Sequence, residues 1–248
     1  MPPAPNQFTA ARLIRKLESI ATVSDAERRA IESLPVMVHH LDARQDIVRD
    51  GDKPAHCCLV LDGWTCRYKL LSEGKRQIFS FHVAGDIPDL QSLQLHTMDH
   101  SLATMKSATV AFIPHENLRE LTADFPSIGA LLWQSTLIDA AVAREWETNL
   151  GRRPALERIG HLFCEMYLKL HAVGLAEGYR CPMPITQTDL ADALGLTPVH
   201  VNRVLQEMRA RALITLRSST LVIEAWDEFL RVCEFDPAYL HLEQRRAA

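Results

Sequence analysis

Residues 186–216 place the tightest constraint on how this chain can fold, because two helical patterns there are separated by a turn of only about three residues. Thr186 can cap a helix whose third residue is Asp189, a weak form of the capping box, and Leu190, Ala191 and Leu194 give that helix an inward face. Gly195 ends it. Thr197 and Pro198 restart a helix as cap and first-turn proline, and Val201, Val204, Leu205 and Met208 recur at the three- and four-residue spacings of one buried stripe. Two helices crossing at roughly 90–120° through so short a turn need a small side chain at the crossing and a turn residue tolerant of left-handed φ. Ala191 and Gly195 meet those needs, and Val201 plugs the joint. An ordinary helical hairpin could use the same residue types. The continuation weighs against it: the β-rich runs Ala212, Leu213, Ile214, Thr215, Leu216 and Leu221, Val222, Ile223 flank the polar turn Arg217, Ser218, Ser219, Thr220, which is the pattern of a wing. A helix-turn-helix of this kind places its second helix in the major groove, so duplex DNA is the expected partner.

At 248 residues the chain can hold two medium domains with cores of their own. A hydrophobic fraction of 47% with a charged fraction of 23% is ordinary for a globular protein, and no apolar run approaches the 18 or so residues that span a bilayer. No membrane partner is expected. The proline-rich start, residues 1–6, has no basic stretch followed by an apolar one, so it does not read as a secretory leader and a cytoplasmic protein is expected. Six cysteines (Cys57, Cys58, Cys66, Cys164, Cys181, Cys233) lack paired metal-ligand spacing and read as reduced thiols. No nucleophile–base pair, phosphate loop or metal triad is visible, so no enzymatic activity is expected, and nothing identifies a cofactor.

The net charge of −4 does not suggest indiscriminate coating of DNA. From residue 151 onward 12 basic residues balance 12 acidic ones, and residues 186–220 hold four arginines against three acids. Phosphate affinity must therefore come from helix N-termini, hydroxyls and well-placed arginines, doubled by dimerisation.

Residues 8–34 carry helical periodicity, with Leu13, Ile14, Leu17 and Ile20 in one stripe and Ser24, Asp25, Ala26, Glu27 opening a second short helix. Over 36–114 short apolar runs (59–61, 64–71, 77–83, 109–113) alternate with turns at Asp50-Gly51-Asp52, Asp62-Gly63, Glu73-Gly74-Lys75 and Gly85-Asp86, as in an antiparallel barrel or roll. A short helix follows Pro114, and a longer one follows Pro126. Along the longer helix Ile128, Leu131, Ser135, Ile138, Val142, Glu145 and Asn149 alternate by three and four, the heptad pattern of a two-helix seam. Packing of this row on its own domain is the alternative, since three of the seven are polar. Gly151 breaks the helix, and Pro154 can open another through about residue 171 with Ile159, Phe163, Met166 and Leu170 inside, leaving a hinge around Arg152 and Arg153. The expected fold class is α+β: an antiparallel β-roll domain with N-terminal helices over 1–126, a long helix, the candidate dimerisation element, over 127–150 and a winged helix-turn-helix over 151–248.

That order of parts resembles the Crp/Fnr family of bacterial transcription regulators. The resemblance is carried by Asp189-Leu190-Ala191, Gly195-Leu196-Thr197 and Asn202-Arg203-Val204-Leu205, with the roll glycines Gly51, Gly63 and Gly85 in support. The ending Phe235-Asp236-Pro237-Ala238-Tyr239-Leu240 is similar to a subgroup of α-proteobacterial relatives. Such a resemblance implies a homodimer in which the sensor adjusts, through the long helix, how two recognition helices sit on a palindromic operator; an activator would also meet RNA polymerase. Arg203 matches the arginine that contacts a guanine, a base whose O6 and N7 accept two bonds from one guanidinium. Where many members carry a glutamate one turn earlier, this chain has Val199, flanked by Pro198 and His200. Valine can touch a thymine methyl but accepts no hydrogen bond, which implies a half-site other than the usual ones. Asn202 and Gln206 can supplement base reading, and Arg217 and Ser218 lie in the wing turn. Thr186, Gln187, Thr188 and Thr197 match positions that touch phosphates at helix N-termini, although each threonine can equally be a simple cap.

The resemblance also implies an effector pocket around Gly85, Asp86, Asp89, His100 and Ser101. A Crp-like pocket uses a glutamate for the ribose and an Arg-Ser or Arg-Thr pair for the phosphate. Here Asp89 is a shorter stand-in, and Asp99-His100-Ser101 contains no arginine, so cyclic AMP binding is not expected. A redox- or metal-responsive alternative would use Cys57, Cys58 and Cys66 with His56 nearby. Strand alternation, however, would point Cys57 and Cys58 to opposite faces. An Fnr-like cluster needs four thiolates, and no cysteine precedes Cys57. His39, His40, His82, His96 and His100 leave haem or metal ligation open. A further alternative is a ligand-binding module whose C-terminal domain docks protein instead of DNA.

Overall fold

A computed structural model describes residues 5–242, with side chains from residue 10; residues 1–4, most of the start read above for a leader, lie outside the described residues. The chain divides into two compact units. One comprises the residues up to Arg67 with Phe81–Asp139, the other Tyr68–Ser80 with Ala140–Leu240.

In chain order come helices α1 (Pro5–Glu18) and α2 (Asp25–Glu32), strands β1 (Met37–Leu41), β2 (Asp46–Val48), β3 (His56–Asp62), β4 (Thr65–Leu70), β5 (Arg76–His82), β6 (Ser101–Thr104) and β7 (Ala108–Pro114), then α3 (His115–Asp124) and α4 (Pro126–Arg152); they form the first unit except for the β4–β5 hairpin over Tyr68–Ser80 and α4 from Ala140 on, which belong to the second. The strands form a sheet of order β1-β7-β3 and another of order β2-β6-β4-β5. β3 alternates as strand geometry demands. Cys57, Leu59 and Leu61 join a core with Leu13, Leu17, Ile31, Ile128 and Leu131, whereas Cys58 joins a smaller one with Val48, Met98, Leu102 and Val110. The stripe Leu13, Ile14, Leu17, Ile20 is buried as expected.

In α4 the row expected to meet a second chain turns inward. Ile128, Leu131, Val142 and Asn149 are buried within this chain, and Ser135, Ile138 and Glu145 are half-buried. The row left in solvent is Ala130, Trp133, Leu137, Ala140 and Arg144, again alternating by three and four, with Trp133 65% and Leu137 50% exposed. A heptad spacing reports that one face is covered and not what covers it.

The second unit is centred on α5 (Ala155–Ala172), where Ile159, Phe163, Met166 and Leu170 are all wholly buried. Around it lie β8 (Arg180–Pro182), α6 (Gln187–Leu194), α7 (Pro198–Ala210), β9 (Ile214–Arg217), β10 (Thr220–Ile223), α8 (Trp226–Val232) and a 3-10 turn, Pro237–Leu240. β8 adds a third strand to the wing, in the order β8-β10-β9. His161 of α5 is wholly buried, edge-on to Phe235 at 4.7 Å and stacked near Tyr239 at 5.8 Å, and among the described residues neither ring nitrogen has a hydrogen-bond partner. Burial, with the Arg153 guanidinium adding to it, holds this histidine down to about 3, so the 3.4 Å approach of Glu145 Oε1 is not an ion pair at neutral pH. Folding then gains fully from the neutral ring above its ordinary value near 6.5 and loses as pH falls toward 3, about 2 kcal/mol by pH 5. We expect His161→Phe to retain between pH 6.5 and 5 the stability that the parent loses. Urea melts that shift in parallel for both proteins would contradict this.

Candidate nucleic-acid interface

The two helices α6 and α7 are fixed by the caps that the sequence signals. Thr186 Oγ1 accepts the Asp189 N–H at 3.1 Å, while Asp189 Oδ2 accepts both the Thr186 N–H at 3.0 Å and its hydroxyl at 2.6 Å. The weak capping box is thus complete, and the Thr186 hydroxyl proton is committed to the cap. Gln187 and Thr188 follow it, both exposed. Gly195 ends α6 at φ +63°, in the left-handed region, and Thr197 Oγ1 accepts the His200 N–H at 3.2 Å to start α7. Ala191 and Val201 are buried.

Two faces of α7 separate cleanly. Val201, Val204, Leu205 and Met208 are buried, while Val199, Asn202, Arg203 and Gln206 lie on the other side at offsets of three, four and seven from Val199. Val199 is 80% exposed. Arg203 is exposed as well, and among the described residues no ion pair holds its guanidinium. Asn202 is half-buried, its Oδ1 3.4 Å from Gln187 Nε2, a long contact that ties the start of α6 to the outer face of α7. Thr197 and Pro198 are exposed, and His200 is half-buried. In the wing, Arg217 and Thr220 pair across the strands, leaving Ser218 (φ 48°) and Ser219 (φ 57°) as a two-residue turn. Positive φ at both is the type I′ pattern, which twists with the strands but strains residues other than Asn or Gly. Arg217 and Ser218 stand exposed at this tip.

Comparison with known proteins agrees with this geometry. Residues 157–232 match the Crp-like helix-turn-helix domain and residues 38–125 match the cyclic nucleotide-binding domain. The nitrogen fixation regulation protein FixK of Rhizobium meliloti is 27% identical over 197 residues, covering 79% of this chain and 87% of that protein. The transcriptional activator protein FnrL of Cereibacter sphaeroides is 26% identical over 195 residues, 77% of each. The chain belongs to the Crp/Fnr family. It is a transcription regulator with a helix-turn-helix DNA-binding domain. The structure of FixK2 from Bradyrhizobium japonicum shares the Crp/Fnr fold with a TM-score of 0.73 at 23% identity, over 80% of this chain and 97% of that one. No helix among the described residues is long and apolar enough to cross a membrane.

In this Crp/Fnr roll each residue named for an effector pocket already has a partner. Gly85 has φ +98°, and a Cβ there would meet the Arg12 carbonyl oxygen at 2.7 Å, because α1 lies directly against it. Asp86 pairs with Lys16 Nζ at 2.9 Å and accepts the Val83 N–H at 3.0 Å. Asp89 is 2% exposed and turns inward, its Oδ1 accepting the Cys58 N–H at 2.7 Å. Burial pushes this carboxyl up to about 7, against the pull of the Cys58 amide and Arg67. His100 Nδ1 lies 2.6 Å from Asp99, and Ser101 Oγ accepts the Asp50 N–H at 3.1 Å.

An arginine of the roll escaped the sequence reading. Arg67 of β4 donates to the Pro88 carbonyl at 2.5 Å and to Asp139 Oδ2 of α4 at 2.9 Å, its side chain 16% exposed. A charged residue on a strand normally marks the solvent face, so nothing in the local pattern distinguishes it.

The redox alternative is not favoured. All six cysteines are reduced and buried. Burial pushes the Cys57 thiol up to about 12 and Cys58 well above its ordinary value, so neither offers a thiolate. Among the described residues no three His, Cys, Asp or Glu side chains are grouped to hold a metal ion.

Proposed function

We propose that the chain acts as a homodimer in the cytoplasm, reading a palindromic operator with the outward face of α7 and positioning itself on phosphates through the α6 and α7 N-termini and the wing. The outward row Val199, Asn202, Arg203, Gln206, opposite a buried row on the same helix, carries this reading. The domain assignment goes with it: a sensor over 1–126, a dimer helix over 127–150 and the DNA-binding domain over 151–248. RNA polymerase is a further partner if the protein activates. Mapping bound genomic fragments tests the proposal through the half-site and its spacing, expected at one helical turn, about 34–36 Å between centres. Protection of a single unpaired half-site would overturn it.

Arg203→Ala is expected to cost about 1–3 kcal/mol on the operator and to relax preference at one guanine per half-site. Arg217→Ala should instead weaken all sequences alike and flatten the salt dependence. Binding curves on operator and random DNA at several salt concentrations check both. Equal loss on the two DNAs for Arg203→Ala would make it a phosphate contact.

The sensor unit is proposed to take no cyclic AMP, because the inward turn of Asp89 and the ion pair of Asp86 leave neither carboxylate for a ribose. A ligand at ten times its Kd stabilises the folded state by about 1.4 kcal/mol, enough for a visible rise in melting temperature. None is expected. A saturable rise with cyclic AMP, abolished by Asp89→Ala, would refute this part of the proposal.

A further inference from the structure

The tip of the β4–β5 hairpin, Tyr68–Ser80, belongs to the same compact unit as the helix-turn-helix. There Arg76 forks between two carboxylates of α6. Its terminal nitrogen donates to Asp189 Oδ1 at 2.7 Å and its Nε to Asp192 Oδ2 at 2.9 Å. The neighbouring Gln77 Nε2 donates to the Ala193 carbonyl at 3.1 Å, and the Tyr68 ring lies 5.9 Å beneath the guanidinium. The Asp189 side chain is only 1% exposed and has two tasks, since its other oxygen closes the capping box on Thr186. Both of its oxygens are therefore engaged, one by the helix's own cap and one by the hairpin.

We propose that Arg76 is a positioning residue for DNA recognition: by clamping Asp189 and Asp192 it fixes the start of α6, and through the α6–α7 crossing it sets the recognition helix. The inference rests on the DNA reading above. The physical case has two parts. Without the guanidinium, a buried carboxylate loses a charged donor, which costs far more than loss of a solvated pair. Two carboxylates one turn apart would also lose the guanidinium they share, on the helix whose N-terminus approaches phosphate, opposing the anion that the helix end attracts. The roots of the hairpin, Thr65 to Arg67 and Phe81 to His82, belong to the sensor unit. A shift of those strands thus reaches α6 along two covalent strands, a route separate from the long helix.

The test uses the full-length protein with Arg76→Gln, Arg76→Lys and Asp192→Asn, measured by anisotropy on the mapped operator and on random DNA and by amide hydrogen exchange. Arg76→Gln is expected to weaken operator binding about tenfold or more, with a smaller loss on random DNA, and to speed exchange of the α6 amides about tenfold while the α5 amides stay at parent rates. Arg76→Lys should recover part of both, because an ammonium can serve one carboxylate but cannot fork between two. Asp192→Asn, which leaves the buried pair intact, should move both readings in the same direction by less. Parent values of operator affinity and α6 exchange in Arg76→Gln would overturn the proposal. If that variant does not fold, parent values in Asp192→Asn do so. Absence of sequence-selective binding by the parent protein would instead bring down the DNA reading, and the exchange measurement would still decide whether the clamp exists.

Discussion

Replacing Trp133 and Leu137 together by glutamate is expected to convert the proposed homodimer to monomer, raising the dissociation constant by about three orders of magnitude or more. The two side chains stand 65% and 50% exposed on successive turns of α4, so in a single chain they contribute little to folding. A tryptophan and a leucine at the centre of an interface are together worth about 4 kcal/mol or more, and two carboxylates facing their symmetry mates add repulsion. Sedimentation should report a monomer at micromolar concentration, melting should be unchanged, and operator binding should fall to that of an isolated half-site. Glutamate at Ile128 or Leu131 should behave oppositely and unfold the sensor unit, because those positions are buried in its core. A double variant that remains dimeric would show that the exposed row of α4 is not the seam.

Asp89→Asn is expected to abolish a pH dependence that the parent protein shows between about pH 4 and pH 7. The carboxyl is raised in the folded state from 3.8 to about 7, so the folded protein holds its proton where the unfolded chain has lost it. Stability from this group is fully present below the ordinary value and drains away as pH rises through that window, reaching about 4 kcal/mol at pH 8. The amide keeps an oxygen for the Cys58 N–H but cannot ionise. The variant should match the parent at pH 4 and exceed it by about 3–4 kcal/mol at pH 8. His100, His115 and His161 are shifted downward by burial and act in the opposite sense, so the difference between the two proteins, measured by urea melts across the range, is the decisive quantity. Parallel curves would place the Asp89 charge in solvent.

What was legible in the sequence follows from how local each constraint is. The helix-turn-helix could be read because cap, crossing and turn each restrict residue type within a few positions, and the structure realises them at Thr186, Ala191, Gly195 and Thr197. The wing was read from β-branched runs, yet β8 was not, since Arg180, Cys181 and Pro182 are too few to display a period. The heptad in α4 was visible, but not what covers it: Ile128, Leu131, Val142 and Asn149 are buried within this chain, and spacing does not record whether a neighbouring element or a second chain covers a face. Asp89 was read as a possible ribose contact, and the structure turns it to the backbone of β3. Arg67 and Arg76 were not read at all: each finds its carboxylates 72 to 116 residues away, beyond any local pattern.

The clamp of Arg76 on α6 bears on how such a protein can be cut and recombined. A fragment beginning at residue 151 would contain every residue of the winged motif and would leave Asp189 buried without its hairpin arginine. If Arg76 positions the recognition helix as proposed, the DNA-reading unit is discontinuous, taking thirteen residues, Tyr68–Ser80, from the middle of the sensor sequence. Exchange of C-terminal halves between relatives should succeed only where the donor helix brings carboxylates that suit the recipient hairpin, so residues 76, 189 and 192 are expected to change together across descendants or not at all.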